Sequence, residues 1–363
     1  MQQQKFIGRF GVFSTIIVSV MGVGIFSYPR ELADAIGNDG WLITIISGLI
    51  TFGLLYIIYK CVKLNKFDTF TNILENNFGK FIGKLIAIVF VIYNIIFIST
   101  GMRIFDEVLK MFLLEKTPTE FIIICMILVG TYLIRGKIGN LIRFNQVVFW
   151  IMTIPLFIIM MFSLKNADFT NVLPILQNKP MEYLKAIPVS LIAFTGINIA
   201  YLIIPYIKND DNTLIILFKS IGFISIFYIV VTVFSLFVFS LEQTKVLLWP
   251  TISMIKSIDI PGAFVERWEG IVMSFWIMFY FTTFVNAYYF SAEIIKDVFN
   301  IGSINLAPII ISPLIYVVTL IPENIAEVYY VKSKIMPIFS LIVVLIIPLT
   351  LFGFSKVKMK GVK

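Results

Sequence analysis

Phe13-Ser14-Thr15-Ile16-Ile17-Val18-Ser19-Val20-Met21-Gly22-Val23-Gly24-Ile25-Phe26-Ser27-Tyr28-Pro29 is apolar enough to cross a bilayer, yet it holds the means to break halfway. Glycines 22 and 24 straddle Val23, and a proline follows five residues after the second. Glycine lowers the cost of leaving helical geometry, and proline withdraws a backbone donor. A helix broken here exposes N–H and C=O groups at mid-bilayer depth, where only protein, ligand or water can satisfy them.

A second stretch carries the same kind of interruption. Ile192-Ala193-Phe194-Thr195-Gly196-Ile197-Asn198-Ile199-Ala200-Tyr201-Leu202-Ile203-Ile204-Pro205 has a central glycine flanked by Thr195 and Asn198, and a proline near its far end. Runs of about 20 apolar residues, the length that spans hydrocarbon, occur near 11–29, 40–60, 82–105, 120–134, 144–163, 186–206, 214–240, 270–295, 305–321 and 335–354. The two interrupted runs are therefore the first and the sixth. Interrupted helices at corresponding places in two halves point to a transporter-type binding site. Five spans per half also turn the second half over in the membrane. The expected fold is an all-α polytopic membrane protein, ten transmembrane helices in a 5+5 inverted repeat with helices 1 and 6 broken. One membrane domain covers 1–363, with the first repeat at 1–163 and the second at 186–363. The stretches 164–185 and 241–269 are too short to fold alone, though they could form short helices over the outer face.

Composition agrees. Of 363 residues, 59% are hydrophobic and only 14% are charged, against about 25% charged in an ordinary soluble domain. A water-soluble enzyme has nowhere to hide that surface. The net charge of +8 is no nucleic-acid signal, because it follows membrane topology. Seventeen of the 29 Lys and Arg residues fall on the side of the termini, among them Lys5, Arg9, Lys356 and Lys363; eleven fall opposite. The bias places both termini in the cytoplasm.

The chain has no histidine, which removes imidazole bases, proton relays and His metal sites. Cys61 and Cys125 are isolated apolar fillers. No Ser/His/Asp set, phosphate loop or metal-ligand cluster occurs, so no enzyme is expected and no catalytic or metal residue is named. Neither Asp nor Glu falls in the middle of a span as drawn, and this disfavours proton coupling. Arg103 is the clear intramembrane charge, with Glu107 four residues on, either as a rim ion pair or as a gate.

The two breaks would offer half-helix N-termini to an anionic group and freed carbonyls to a cation. A zwitterion such as an amino acid fits that pairing. Candidate ligand contacts are Gly22, Val23, Gly24, Ile25 and Phe26 on the first span and Phe194, Thr195, Gly196 and Asn198 on the sixth. Tyr93, Phe26, Phe194 and Trp276 would supply aromatic walls. In the eighth span Thr282 or Thr283 would face the first break, where hydroxyl and carbonyl oxygens suit a ligand or a sodium ion.

Gly22-Val23-Gly24-Ile25-Phe26 with Tyr28-Pro29-Arg30 resembles the first-span signature of the amino acid–polyamine–organocation transporter superfamily. It is more similar still to the B subunits of bacterial spore germination receptors. Glu266-Arg267, then Glu269 and Trp276, resembles the stretch that family carries into its eighth span. The resemblance implies the inverted-repeat fold of sodium-coupled amino-acid transporters and a place in the spore inner membrane. It implies sensing of a small nutrient such as an amino acid, together with an A subunit and a lipoprotein C subunit. An amino-acid transporter, sodium-coupled or not, and a water or ion channel are the rival expectations.

Overall fold

The computed structural model describes residues 7–207, 212–257 and 268–361, and the described residues are almost entirely helical. Lys5, Lys363, Glu266 and Arg267 lie outside them.

The first half runs α1 (Arg9–Val20), α2 (Gly24–Ile36), α3 (Gly40–Leu64), α4 (Phe70–Phe78), α5 (Lys80–Phe112), α6 (Thr119–Ile134) and α7 (Ile138–Ser163). The second runs α8 (Pro180–Ile192), α9 (Ala200–Ile203), α10 (Thr213–Val246), α11 (Pro250–Lys256), α12 (Trp268–Val298) and α13 (Ala307–Leu320). It closes on one continuous span, Ile325–Lys358, made of α14 (Ile325–Tyr330), α15 (Met336–Ser340) and α16 (Ile347–Gly361) with π-helical turns between them. Each half thus opens with a broken span, follows it with a long helix, and inserts a short helix (α4 or α11) before the third span. This is the ten-span, five-plus-five order expected from the sequence.

Every one of the ten stretches falls on a helix or a broken pair. By length and composition alone five segments qualify as spans, or six with the pair Pro180–Ile192 and Thr195–Tyr206, which bends by 49°. Three of the others are short: the first break leaves α1 with only 12 residues, α6 has 16, and Ile304–Leu320 is likewise a short apolar helix. Span one also extends further than its apolar run suggests. Pro29 sits inside α2 without ending it, because the carbonyl it leaves free, that of Ile25 one turn back, accepts a 2.8 Å bond from the Thr251 hydroxyl of α11. The helix ends instead at Gly37, whose φ of 66° is open to glycine at little cost.

α1 packs on α7 and α10, α2 on α8 and α10, and α8 on α2 and α3, so each broken span packs in part against helices of the other half. Ile7 donates from its backbone to Tyr206 (3.0 Å), tying the entry of span one to the exit of span six. On the face opposite the termini, the stretch after α7 forms short 3-10 turns, Leu164–Asn166 and Phe169–Val172. It is pinned to the α2–α3 corner by the buried Asp39 carboxylate. That carboxylate accepts from the Leu176 backbone (2.7 Å), Asn178 (2.8 Å) and the Tyr183 hydroxyl (2.7 Å). Arg103 is paired at the rim: it meets Asp106 at 3.3 Å and Glu107 at 3.1 Å and donates to the Glu323 carbonyl, joining the end of α5 to the segment before α14.

Candidate ligand-binding site

Span one stops being helical at Met21-Gly22-Val23. Span six is interrupted after Ile192 and resumes as a tight 3-10 stretch over Thr195–Ile199. The two interruptions touch. A Cβ placed on Gly196 would stand 2.8 Å from the Ser19 carbonyl carbon and 2.9 Å from Val20 Cα. Only glycine lets these backbones approach so closely. Tyr228 of α10 sits across the junction, its hydroxyl directed at the carbonyls of Val20 (3.4 Å) and Ala193 (3.2 Å), one from each broken span.

Beside this junction lies a cavity of about 70 Å³, which by volume has room for several waters. Gly22, Val23, Gly24, Thr195 and Thr283 line its deep end, and Phe97, Gly101 and Tyr280 its sides. A Cβ on Gly24 would meet nothing within 4 Å, so Gly24 opens directly onto the space. The first turn of α2 begins there, with the orphan N–H groups that start any helix. A second, smaller cavity of about 20 Å³ adjoins it, sharing Phe97, Thr195 and Thr283 and adding Tyr93, Asn94, Gly196 and Asn198. This lobe is polar and unsatisfied. Asn198 leaves both its amide atoms without a partner, Asn94 its amide nitrogen, and the Tyr93 hydroxyl makes no bond within hydrogen-bonding geometry. Buried polar groups seldom stay unpaired, so this lobe is where a ligand's polar atoms or water would be held.

The main cavity ends, toward the side opposite the termini, in two opposed charges. Glu31 of α2 pairs with Lys332 of the final span, and the Ser27 hydroxyl donates to Glu31 at 2.7 Å. The Lys332 ammonium and the Arg30 guanidinium both lie over the Tyr329 ring, 5.6 Å and 5.3 Å from its centroid. Sequence reading missed this pair. The signal was present: restarting the helix at Gly24 puts Ser27 and Glu31 three and seven residues on, along the same face.

Five expected contacts are not at the site. Phe26 and Trp276 pack against each other, ring centroids 4.3 Å apart, and fill space rather than line it. Phe194 stands edge-on to Tyr228 on the far side of the break. The Ile25 carbonyl is taken by Thr251. Thr282 bonds back to Phe279 of its own helix at 2.7 Å, whereas Thr283 donates across to the Val18 carbonyl at 2.7 Å. That settles which threonine faces the first break. It also joins these two oxygens to each other instead of parting them around an ion. Thr283→Val should lower stability by about 1–3 kcal/mol by stranding the Val18 carbonyl. Thr282→Val should be nearly neutral, and thermal unfolding of both in detergent checks the contrast.

Comparison with known proteins places the chain. The sequence profile of a family described as spore germination protein matches residues 7–328. Spore germination protein A2 of Bacillus subtilis (strain 168) is 28% identical over 355 residues, covering 97% of this chain and 96% of that protein. Spore germination protein YndE of the same organism is 26% identical over 349 residues, 96% of each. Spore germination protein GerQB of Bacillus cereus is 28% identical over 308 residues, 83% of this chain and 82% of the relative. Among solved structures, MhsT in complex with L-phenylalanine superposes with a TM-score of 0.67 at 14% identity, covering 93% of this chain and 88% of that one. A Na+-coupled sialic acid symporter in a substrate-bound, outward-open state gives 0.61 at 13% identity, covering 93% and 80%. The fold is therefore that of sodium-coupled transporters, and the chain belongs to the spore germination protein family, as a multi-pass membrane protein.

Proposed function

We propose that the protein is the nutrient-sensing B-type subunit of a spore germination receptor, capturing a small zwitterion such as an amino acid between broken spans one and six. The observation that carries this reading is the pair of adjoining cavities at the junction of the two interruptions. The polar lobe at Asn198, Asn94 and Tyr93 suits a charged head group, and the lobe lined by Phe97, Ile98 and Ile104 suits an apolar side chain. Glu31 and Lys332 neutralise each other, so the cavity favours a ligand without net charge.

Capture would favour one arrangement of the spans over another, and partner A and C subunits would read the shift. A ligand biases such an equilibrium only by its difference in affinity for the two states. The proposed location is the spore inner membrane, with both termini in the cytoplasm and the Glu31–Lys332 end of the cavity facing the opposite side.

The test is a thermal-shift screen of the purified chain against amino acids, sugars and nucleosides. A true ligand at 100 times its Kd stabilises by about 2.7 kcal/mol. Gly24→Leu, whose side chain enters open space, should abolish that shift while leaving the unliganded melt close to the parent's. A screen in which no class of small nutrient moves the melt, or in which Gly24→Leu responds like the parent, defeats the reading. Uptake of labelled amino acid into proteoliposomes separates sensing from transport, since robust accumulation would make the protein a carrier.

A further inference from the structure

A third void, of about 220 Å³, lies behind the span-six interruption rather than in front of it. Its walls come from three spans at their midpoints: Ile50 and Leu54 of α3, Leu191 of α8, and Leu341 and Val344 of the final span. Phe194, Thr195 and Ile197 form its floor, so the backbone that borders the ligand cavities on one face borders this crevice on the other. The crevice opens sideways. Ile50 is 37% exposed and Leu341 52% exposed on the outside of the bundle, at the depth where that outside is hydrocarbon.

Water is a poor occupant. An ordered water needs about 2–4 polar partners. Here Thr195 already donates to the Ile192 carbonyl at 2.8 Å, which leaves the unpaired Ser340 hydroxyl as a single polar partner, too few to hold a water. Left empty, the lining would forfeit its dispersion contacts on one side. The crevice is continuous with the lipid-facing belt, so the molecules at its mouth are acyl chains. The helix on that wall is also locally wide, since Leu341–Ile346 is π-helical, a form that commonly marks a specialised position.

We propose that the crevice is an acyl-chain site, occupied by a tail of a bilayer phospholipid that buttresses the kink of span six from outside. This goes beyond the nutrient reading and does not depend on it: the tail touches the Phe194–Ile197 backbone whatever the front cavities bind. Occupancy makes the position of the interrupted stretch sensitive to lipid.

The experiment uses the full chain in phosphatidylglycerol–phosphatidylethanolamine vesicles containing a little phosphatidylethanolamine with a diazirine in its tail. After photolysis, label is mapped by mass spectrometry. Leu191 and Leu341 should carry several-fold more label than Ile154 and Phe157, which are exposed on α7. Ile50→Trp and Leu345→Trp, from opposite walls, should each plug the crevice and remove that excess while α7 labelling stays constant. Both plugged variants should also lose less thermal stability than the parent chain when lipid is stripped by detergent. Crevice labelling no higher than on α7, labelling that persists in both plugged variants, or equal losses on delipidation would each overturn the proposal. The readout needs no nutrient, so its failure is distinct from failure of the sensing reading.

Discussion

Gly196→Ala is expected to cost about 3 kcal/mol, the upper end of what overpacking a tight interior usually costs. The added methyl has no flexible side chain to push aside. It meets the Ser19 carbonyl group and Val20 Cα, which are backbone atoms of the other broken span. To admit it, spans one and six must separate and Tyr228 must release one of the carbonyls it faces. Thermal unfolding in detergent should show a large loss. Gly24→Ala is the control, since its methyl enters open space and the melt should stay within about 1 kcal/mol of the parent's. Equal melts for the two alanine variants would mean the interruptions do not touch as described.

Lys332→Met should destabilise by about 2–3 kcal/mol. Removing one partner of a buried ion pair costs about 3–5 kcal/mol because the other charge is left unpaired. Here the figure is discounted, since the two side chains keep 15% and 21% exposure. Glu31 would lose its paired charge and retain the hydrogen bond from the Ser27 hydroxyl. The exchange Glu31→Lys with Lys332→Glu should recover most of the loss, because attraction across the cavity mouth does not depend on which helix holds which sign. The thermal melts of the single and double variants decide the matter. A double variant no better than Lys332→Met would show that the pair is specific hydrogen bonding rather than charge closure. An unchanged single variant would show that the mouth is held by other contacts.

Much of the fold was legible because spans are written in long apolar runs and breaks in glycine placement. Gly22, Gly24 and Gly196 mark the two interruptions as directly as sequence can. What sequence could not supply was rotation and partnership. Adjacent residues on a helix point about 100° apart, so Thr282 and Thr283 differ wholly in role. Only the neighbour, the Val18 carbonyl, tells them apart. Phe26 and Trp276 read as walls for a ligand, but two large apolar rings on facing helices satisfy each other first. Glu31 was hidden because the apolar run ends at Pro29, a residue that commonly ends a helix. It is no stop where a hydroxyl from another segment replaces the donor it lacks, as Thr251 does. The lysine partner lies 301 residues away, a distance no local pattern bridges. α4 was missed for a simpler reason: at nine residues it is too short to carry a periodic signal, whereas α11 falls in the 241–269 stretch already read as able to form a short helix.

A phenol has one proton to give, and Tyr228 is placed to share its own between the two halves of the molecule. Pulling either half away from that oxygen shortens the choice to the other, so loosening at one discontinuity is registered at its counterpart. A solute wedged on one flank would thus be felt on both, and the chain should switch as a unit rather than flex piecemeal.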